Sequence, residues 1–333
     1  MGAVLALLRR FRIDPYLVLI LAMVALATLV PVRGPAAHAF DWMTKGAIAL
    51  LFFFHGARLS RQAVLAALIH WRLHGVVLAA SFVLFPALGL LTGLLPPWLL
   101  SPSLASGVLF LCCLPSTVQS SIAFVGIARG NVAAAVVAAS ASNLLGIFLT
   151  PLLVTLLMHT QGGGHAVGLA QIEGIVLQLL APFVLGQLAS RWIGAWVQRH
   201  RQPLGWYDRG TILMVVYGAF SAAVVEGIWG RVSWLSIGVL LVVCGVLLAA
   251  LLATTAYAAR ALGFSKEDEI TIVMCGSKKS LASGAPMAGI LFPAASVGLI
   301  LLPLMIFHQI QLMACAALAQ RYAQRPQAAE SAP

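Results

Sequence analysis

Ten stretches of this chain are apolar over about the thickness of a bilayer, and two of them are interrupted near their middles by polar residues. A membrane-spanning helix needs roughly 20 apolar residues. Within the hydrocarbon layer every backbone N–H and C=O must find its partner inside the protein. The 333 residues are 61% hydrophobic and 9% charged, too little polar surface to cover a water-soluble globule. Together these limits predict an all-α polytopic membrane protein.

The runs are Pro15 to about Val32, Thr44 to Ala57, Gly75 to Leu95, Ser103 to Ile127, Asn131 to Met158, Gln171 to Ser190, Gly210 to Val225, Trp234 to Leu262, Ile270 to Phe292 and Ser296 to Leu318. Arg9, Arg10 and Arg12 before the first run, and Ala37-His38-Ala39 after it, also fit a secretory signal and its cleavage site. Cleavage would leave nine spans and spoil the charge pattern, so the first run is read as a retained helix. With the N-terminus inside, Arg9, Arg10, Arg12, Arg58, Arg61, Arg72, Arg129, Arg191, Arg199, Arg201, Arg209, Arg260, Lys266, Arg321 and Arg325 all fall on the inner side. Only Arg33, Lys45 and Arg231 fall outside, and Lys278 and Lys279 lie within the ninth run. This bias predicts ten spans with both termini cytoplasmic, and the alanine- and arginine-rich composition suggests a multi-pass protein of the cell inner (plasma) membrane. The bias also accounts for the net charge of +11 without a nucleic-acid partner. The five cysteines (Cys112, Cys113, Cys244, Cys275, Cys315) all sit in apolar runs with no metal-ligand or redox spacing, so neither a disulfide nor a metal is expected.

One membrane domain, 1–333, is expected, built of five-helix repeats over 11–160 and 165–320, with a linker at Gln161–Gly164 and a disordered tail at 321–333. Five spans per half makes the repeats inverted. Lys45-Gly-Ala-Ile48 echoes Arg209-Gly-Thr-Ile212, Thr150-Pro151 echoes Leu302-Pro303, and the polar break in span four echoes the one in span nine. Interrupted helices at corresponding places in two halves point to a transporter site near the midplane.

A break frees backbone groups and creates half-helix ends that carry partial charge. Ser116, Thr117, Gln119, Ser120 and Ser121 offer oxygen ligands from the first break, and Ser277, Ser280 and Ser283 from the second. Such hydroxyls also serve ordinary close helix packing. Lys278 and Lys279 are the sharper signal, since a charge at this depth costs roughly 2.5–3.5 kcal/mol on insertion scales. One of them could snorkel to the membrane edge. Otherwise one could stand where crossing half-helices would hold a metal cation, bind an anionic substrate, or load and release a proton. Asn143 in span five is a candidate ligand, and His308, Gln309 and Gln311 in span ten are polar groups that could reach the same place. His55 is expected near the interface, Glu173 and Glu226 at helix ends, and Phe52-Phe53-Phe54 and the tryptophans facing lipid or the interface.

Ala128-Arg-Gly-Asn-Val-Ala133, Leu114-Pro-Ser-Thr-Val-Gln-Ser-Ser121 and Cys275-Gly-Ser-Lys-Lys-Ser-Leu-Ala-Ser-Gly-Ala-Pro-Met287 resemble the bile acid:sodium symporter family, in its divergent branch of sodium-dependent transporters. The resemblance spans nearly the whole chain. It implies ten helices in two inverted five-helix repeats, forming core and panel domains, with broken helices four and nine crossing in the core. It also implies alternating access for an organic-anion-like substrate, with Ser120, Ser121 and Ser280 at the crossing. Sodium-coupled members carry a glutamate where this chain has Met274, Gln-Asn where it has Lys278-Lys279, and hydroxyls where it has Ala135 and Ala139. Two sodium sites are therefore not carried over.

The expected function is secondary active transport of a small organic anion by a protein whose immediate partner is the lipid bilayer. No cofactor is expected, and sodium or a proton is the coupling ion. The alternatives are a sodium-independent, lysine-gated uniporter or exchanger, and a non-transporting membrane regulator of ion homeostasis. An enzyme is not expected, because no Ser/His/Asp arrangement, paired carboxylates or metal-ligand spacing falls in the spans.

Overall fold

The structure is a computed structural model that describes residues 15–58, 70–160, 176–227 and 233–325. Among the described residues all regular structure is helical. The elements are α1 (Pro15–Leu29), α2 (Pro35–Arg58), α3 (Trp71–Ala79), a π-helical turn (Ala80–Leu84), α4 (Phe85–Leu91) with a 3-10 turn (Thr92–Leu94), α5 (Pro102–Cys113), α6 (Gln119–Ile127), α7 (Val132–Thr160), a second π turn (Val176–Leu180), α8 (Ala181–Arg199), α9 (Arg201–Val225), α10 (Trp234–Ala261), α11 (Lys266–Gly276), α12 (Leu281–Leu291) and α13 (Ala294–Ala323). Among the described residues, five stretches are long and apolar enough to cross a membrane: Trp71–Leu94, Val132–Met158, Arg201–Val225, Trp234–Ala261 and Ala294–Ala323. Shorter apolar helices occur at Val18–Leu29 and Pro102–Cys113. The protein is a polytopic, all-helical membrane protein.

The helices pack in two groups. α1, α2, α8 and α9 form one, α3 to α7 with α10 to α13 form the other, and α9 also touches α12 and α13. The α2–α8 contact is backbone on backbone. A Cβ on Gly56 would fall on the Phe183 carbonyl, and one on Gly186 would fall on the Phe53 carbonyl. Lipid offers no hydrophobic drive between helices, so such close approach of small residues is what holds them together. Arg58 and Asp208 add an ion pair at 2.6 Å between α2 and α9.

The turn between α6 and α7 explains the Ala128–Ala133 sequence. Arg129 takes a left-handed φ of 56°, and the Gly130 N–H returns to the Val125 carbonyl at 2.9 Å, closing α6. The Asn131 N–H then donates to the Glu267 carbonyl (3.1 Å), and the Asn131 amide donates to Asp268 (2.9 Å). The turn thereby docks on the N-terminus of α11, which Ser265 caps through the Asp268 N–H (3.2 Å). The carboxylate of Glu269, only 4% exposed, holds Arg260 at 2.9 Å and Lys266 at 2.8 Å. One end of α11 is thus pinned while its other end is free to break.

Three expectations need correction. The second helix begins at Pro35, not Thr44, because the i,i+4 pair Asp41–Lys45 (2.7 Å) lets charged residues ride on a helix that the apolar pattern alone would start later. Phe52 is buried in the core rather than facing lipid, whereas Trp42, Trp71, Trp98, Trp192, Trp206 and Trp234 are exposed as expected. The tail is not disordered from residue 321: α13 continues to Ala323, and the Arg325 guanidinium donates to the Ala128 and Arg129 carbonyls and to Glu267. The linker at Gln161–Gly164 and Glu173 lie outside the described residues.

Gly186→Ala is expected to separate α2 from α8 and to cost about 1–3 kcal/mol. This would be read as a lowered melting temperature of the purified protein in detergent. An unchanged melting temperature would mean that the glycine contact does not hold the two helices.

Candidate functional site

The two breaks meet. α5 stops at Cys113 because Pro115 cannot donate to the helix, and the chain runs extended through Leu114 before α6 begins at Gln119. α11 stops at Gly276, and α12 begins after Ser280, whose hydroxyl accepts the Ser283 N–H at 3.1 Å. The Ser280 N–H donates to the Pro115 carbonyl at 2.9 Å, joining one break directly to the other. Gly146 of α7 leaves room for the Pro115 ring, and Gly284 of α12 leaves room for Leu114.

Nearly every carbonyl released at the first break has a donor. Cys113 O accepts from the Thr150 hydroxyl (2.8 Å), Pro115 O from Ser280 N–H, and Ser116 O from the Asn143 amide (2.6 Å). Cys112 O and Leu114 O accept from the ammonium of Lys279 at 2.7 and 2.5 Å. The second break is tied in return. Ser116 Oγ donates to Cys275 O (2.5 Å) and Ser121 Oγ to Met274 O (3.2 Å). Gln311 bonds both main-chain groups of Lys279: its Oε1 accepts from N–H (2.8 Å) and its Nε2 donates to C=O (2.9 Å). Asn143 bridges the breaks, since its Oδ1 also accepts from Ser283 Oγ at 2.7 Å.

The third carbonyl on Lys279 Nζ is that of Ser81, at 2.8 Å. Its availability follows from the local sequence. In the π turn the Phe85 N–H bonds to Ala80 O instead of Ser81 O. The next donor in that register would be Pro86, which has no N–H. Ser81 O is therefore left without a helical partner, and the lysine supplies one. The ammonium also lies 4.0 Å from the Phe85 ring centroid and 5.9 Å from that of Phe82.

Lys278 is the opposite case. Its side chain is fully buried and its Nζ has no hydrogen-bond partner. The ammonium sits 4.4 Å over the Phe124 ring of α6, a contact that stabilises a cation but accepts no hydrogen bond in the ordinary sense. Neither lysine snorkels. Among the described residues the acids are committed elsewhere or lie at helix ends: Asp41, Asp208, Glu267 and Glu269 are ion-paired, Asp268 bonds Asn131, and Glu226 caps α9. The crossing thus holds two lysine side chains and no carboxylate.

The structure brings together Ser116, Thr117, Ser120, Ser121, Asn143, Ser277, Lys278, Lys279, Ser280 and Ser283 at or beside the crossing. Thr117, Ser120 and Ser121 bond mainly one another (2.8 and 3.0 Å). Ser277 Oγ is spent on the Val273 carbonyl of its own helix (2.6 Å). Gln119 departs from expectation: it is exposed on the first turn of α6 and takes no part in the crossing bonds, because the break ends one residue earlier. His308 Nδ1 lies 3.0 Å from Gln311 Nε2, beside the crossing. Gln311 turns out to be central, and Ser81, Phe82, Phe85 and Phe124 were not expected; Pro86 after a phenylalanine-rich stretch was the available signal for the first three.

Comparison with known proteins identifies a family and several relatives. The profile of the SBF-like CPA transporter family matches residues 14–324. An uncharacterized protein of Pseudomonas aeruginosa is 58% identical over 318 residues, covering 95% of each chain. The Escherichia coli K12 protein named "Putative symporter YfeH" is 55% identical over 316 residues, again covering 95% of each. Sodium/bile acid cotransporter 7 of Mus musculus is 29% identical over 314 residues, covering 92% of each.

The two lysines should respond oppositely to truncation. Lys279→Met leaves three buried carbonyls without a donor and is expected to cost about 3 kcal/mol or more. Lys278→Met removes an ammonium that has no acceptor and is expected to leave stability unchanged or raised by about 1 kcal/mol. Thermal unfolding of the two variants side by side checks this, and equal losses would contradict it.

Proposed function

The chain belongs to the SBF-like CPA transporter family, and on that premise we propose that it is a secondary active transporter of a small organic anion, coupled to sodium or to protons and working by alternating access. The family and the named relatives are transporters rather than enzymes. The observation that carries the choice of an anion is the buried, unpartnered ammonium of Lys278 beside the crossing. Such a group costs several kcal/mol unless an acceptor reaches it, and no carboxylate of the described protein does. A carboxylate-bearing substrate would supply the acceptor that the protein withholds.

The two helix groups are read as panel and core, and the two broken helices as the corresponding members of two inverted five-helix repeats over 11–160 and 165–320. A cavity of about 390 Å³ lies between the groups, lined by Asp41, Lys45 and Val215 on one side and by Gly289, Ala294 and Val297 on the other. Relative movement of the groups would open or close it without disturbing the bonds inside the crossing. The charge pattern supports reading this cavity as open to the outer face of an inner membrane, with both termini cytoplasmic.

A second reading, sodium-independent transport, is favoured by one specific observation: Lys279 already fills the place at the end of α5 where a metal cation would be held.

Uptake into proteoliposomes tests the function. A panel of carboxylates that includes a bile acid is supplied under an inward sodium gradient or an inward proton gradient. At least one carboxylate is expected to accumulate, and Lys278→Met is expected to lower its uptake about tenfold or more, equivalent to ~1.4 kcal/mol of binding. Absence of gradient-driven accumulation for every member, with folded wild-type protein, would contradict the reading.

A further inference from the structure

The carbonyl oxygens of Ser81, Cys112 and Leu114 surround one point, and each has a local reason to be unpaired. The Ser81 carbonyl would take its π-register bond from Pro86, which has no N–H. The Cys112 carbonyl would normally accept from the N–H of residue 116, but the Ser116 N–H is turned to the Ser142 hydroxyl at 3.0 Å. The Leu114 carbonyl belongs to the extended residue beyond the helix end. Three converging backbone carbonyls at the negative end of a half-helix are a place where membrane transporters hold a bare monovalent cation. Here the occupant is the Lys279 ammonium at 2.5–2.8 Å from all three.

We propose that this cage is a monovalent-cation site filled by the protein's own Lys279 ammonium, so that sodium does not bind there. The occupant is held from behind as well as in front. Gln311 grips both main-chain groups of Lys279, and the next residue's N–H is bonded to Pro115. The side chain is wholly buried, with Phe85 closing one side of the cage. A free ion can leave on one side of the membrane and so couple its gradient to the substrate. A tethered ammonium cannot leave, and it crosses with the core in every half-cycle. A sodium ion, if the transport reading above holds and sodium drives it, must therefore act at a different place. That consequence rests on the transport reading; the cage and its test do not.

The test is thermal unfolding of the purified full-length chain at constant ionic strength in sodium, potassium, methylammonium or choline chloride. Wild type, Lys279→Ala and Lys279→Met are compared. An ion bound only to the folded state raises the melting temperature in a saturable way. Wild type is expected to respond to sodium and choline alike. Lys279→Ala, which empties the cage, is expected to gain a saturable rise of about 3 °C or more with sodium, potassium or methylammonium over choline. Lys279→Met, which fills the space with an apolar chain, is expected to gain none. A saturable sodium-specific rise in wild type would overturn the proposal, as would a folded Lys279→Ala that does not distinguish any of these cations from choline. If Lys279→Ala is unfolded in choline, recovery of folded protein by one of the small cations supports the cage, and failure of all three to recover it counts against it. None of these outcomes depends on whether any substrate is transported, so failure here and failure of uptake remain distinguishable.

Discussion

Backbone carbonyls freed inside a membrane have no water to turn to, and that constraint organises this protein. Two helices are broken at the same depth, and each break would be prohibitive alone. Crossed, they pair with each other, Ser280 with Pro115 and Ser116 with Cys275, and the remaining carbonyls are met by Thr150, Asn143, Gln311 and Lys279. Glycine stands where a side chain would hold the breaks apart, at Gly146 of the neighbouring α7 and at Gly284 of α12 itself. The polar crossing is therefore a closed network in which almost every member is satisfied. Such a network makes a rigid unit that can move as one body.

The exception within that network is Lys278. Two adjacent lysines, chemically identical, are placed in opposite circumstances by a difference of one residue in position. Lys279 points to the end of α5 and meets three oxygens. Lys278 points toward α6 and meets the face of Phe124. The first serves the fold as a replacement for a bound ion. The second has no hydrogen-bond acceptor, and this is why the proposed function assigns the anionic substrate to it rather than to its neighbour.

Much of this could be read from the sequence because the local chemistry of a broken helix is local: proline, glycine and hydroxyl residues inside an apolar run announce it, and two lysines at that depth demand a partner. The partners themselves could not be read. Ser81 lies 198 residues from Lys279, and its carbonyl is available only because Phe85 adopts a π register ahead of Pro86. Gln119 sits among the hydroxyls in the sequence, yet one residue of helix turns it out to the surface. Gln311 looked like one polar residue among several in the last span, and only packing revealed that it clamps the lysine backbone. The start of α2 was misplaced for a similar reason, since an Asp–Lys pair neutralises itself on a helix surface and hides a helical turn from an apolar count.

Transport through this crossing requires that it meet water from each side in turn. The most direct measurement places a cysteine at Ser283, half-buried and bonded to Asn143, in a background where the five native cysteines are replaced. A membrane-impermeant thiol reagent is then applied to oriented vesicles from either face. Labelling from both faces, each suppressed when the protein is trapped in the opposite conformation, is the predicted result. Labelling confined to one face under every ion gradient, or to neither, would contradict transport at this crossing.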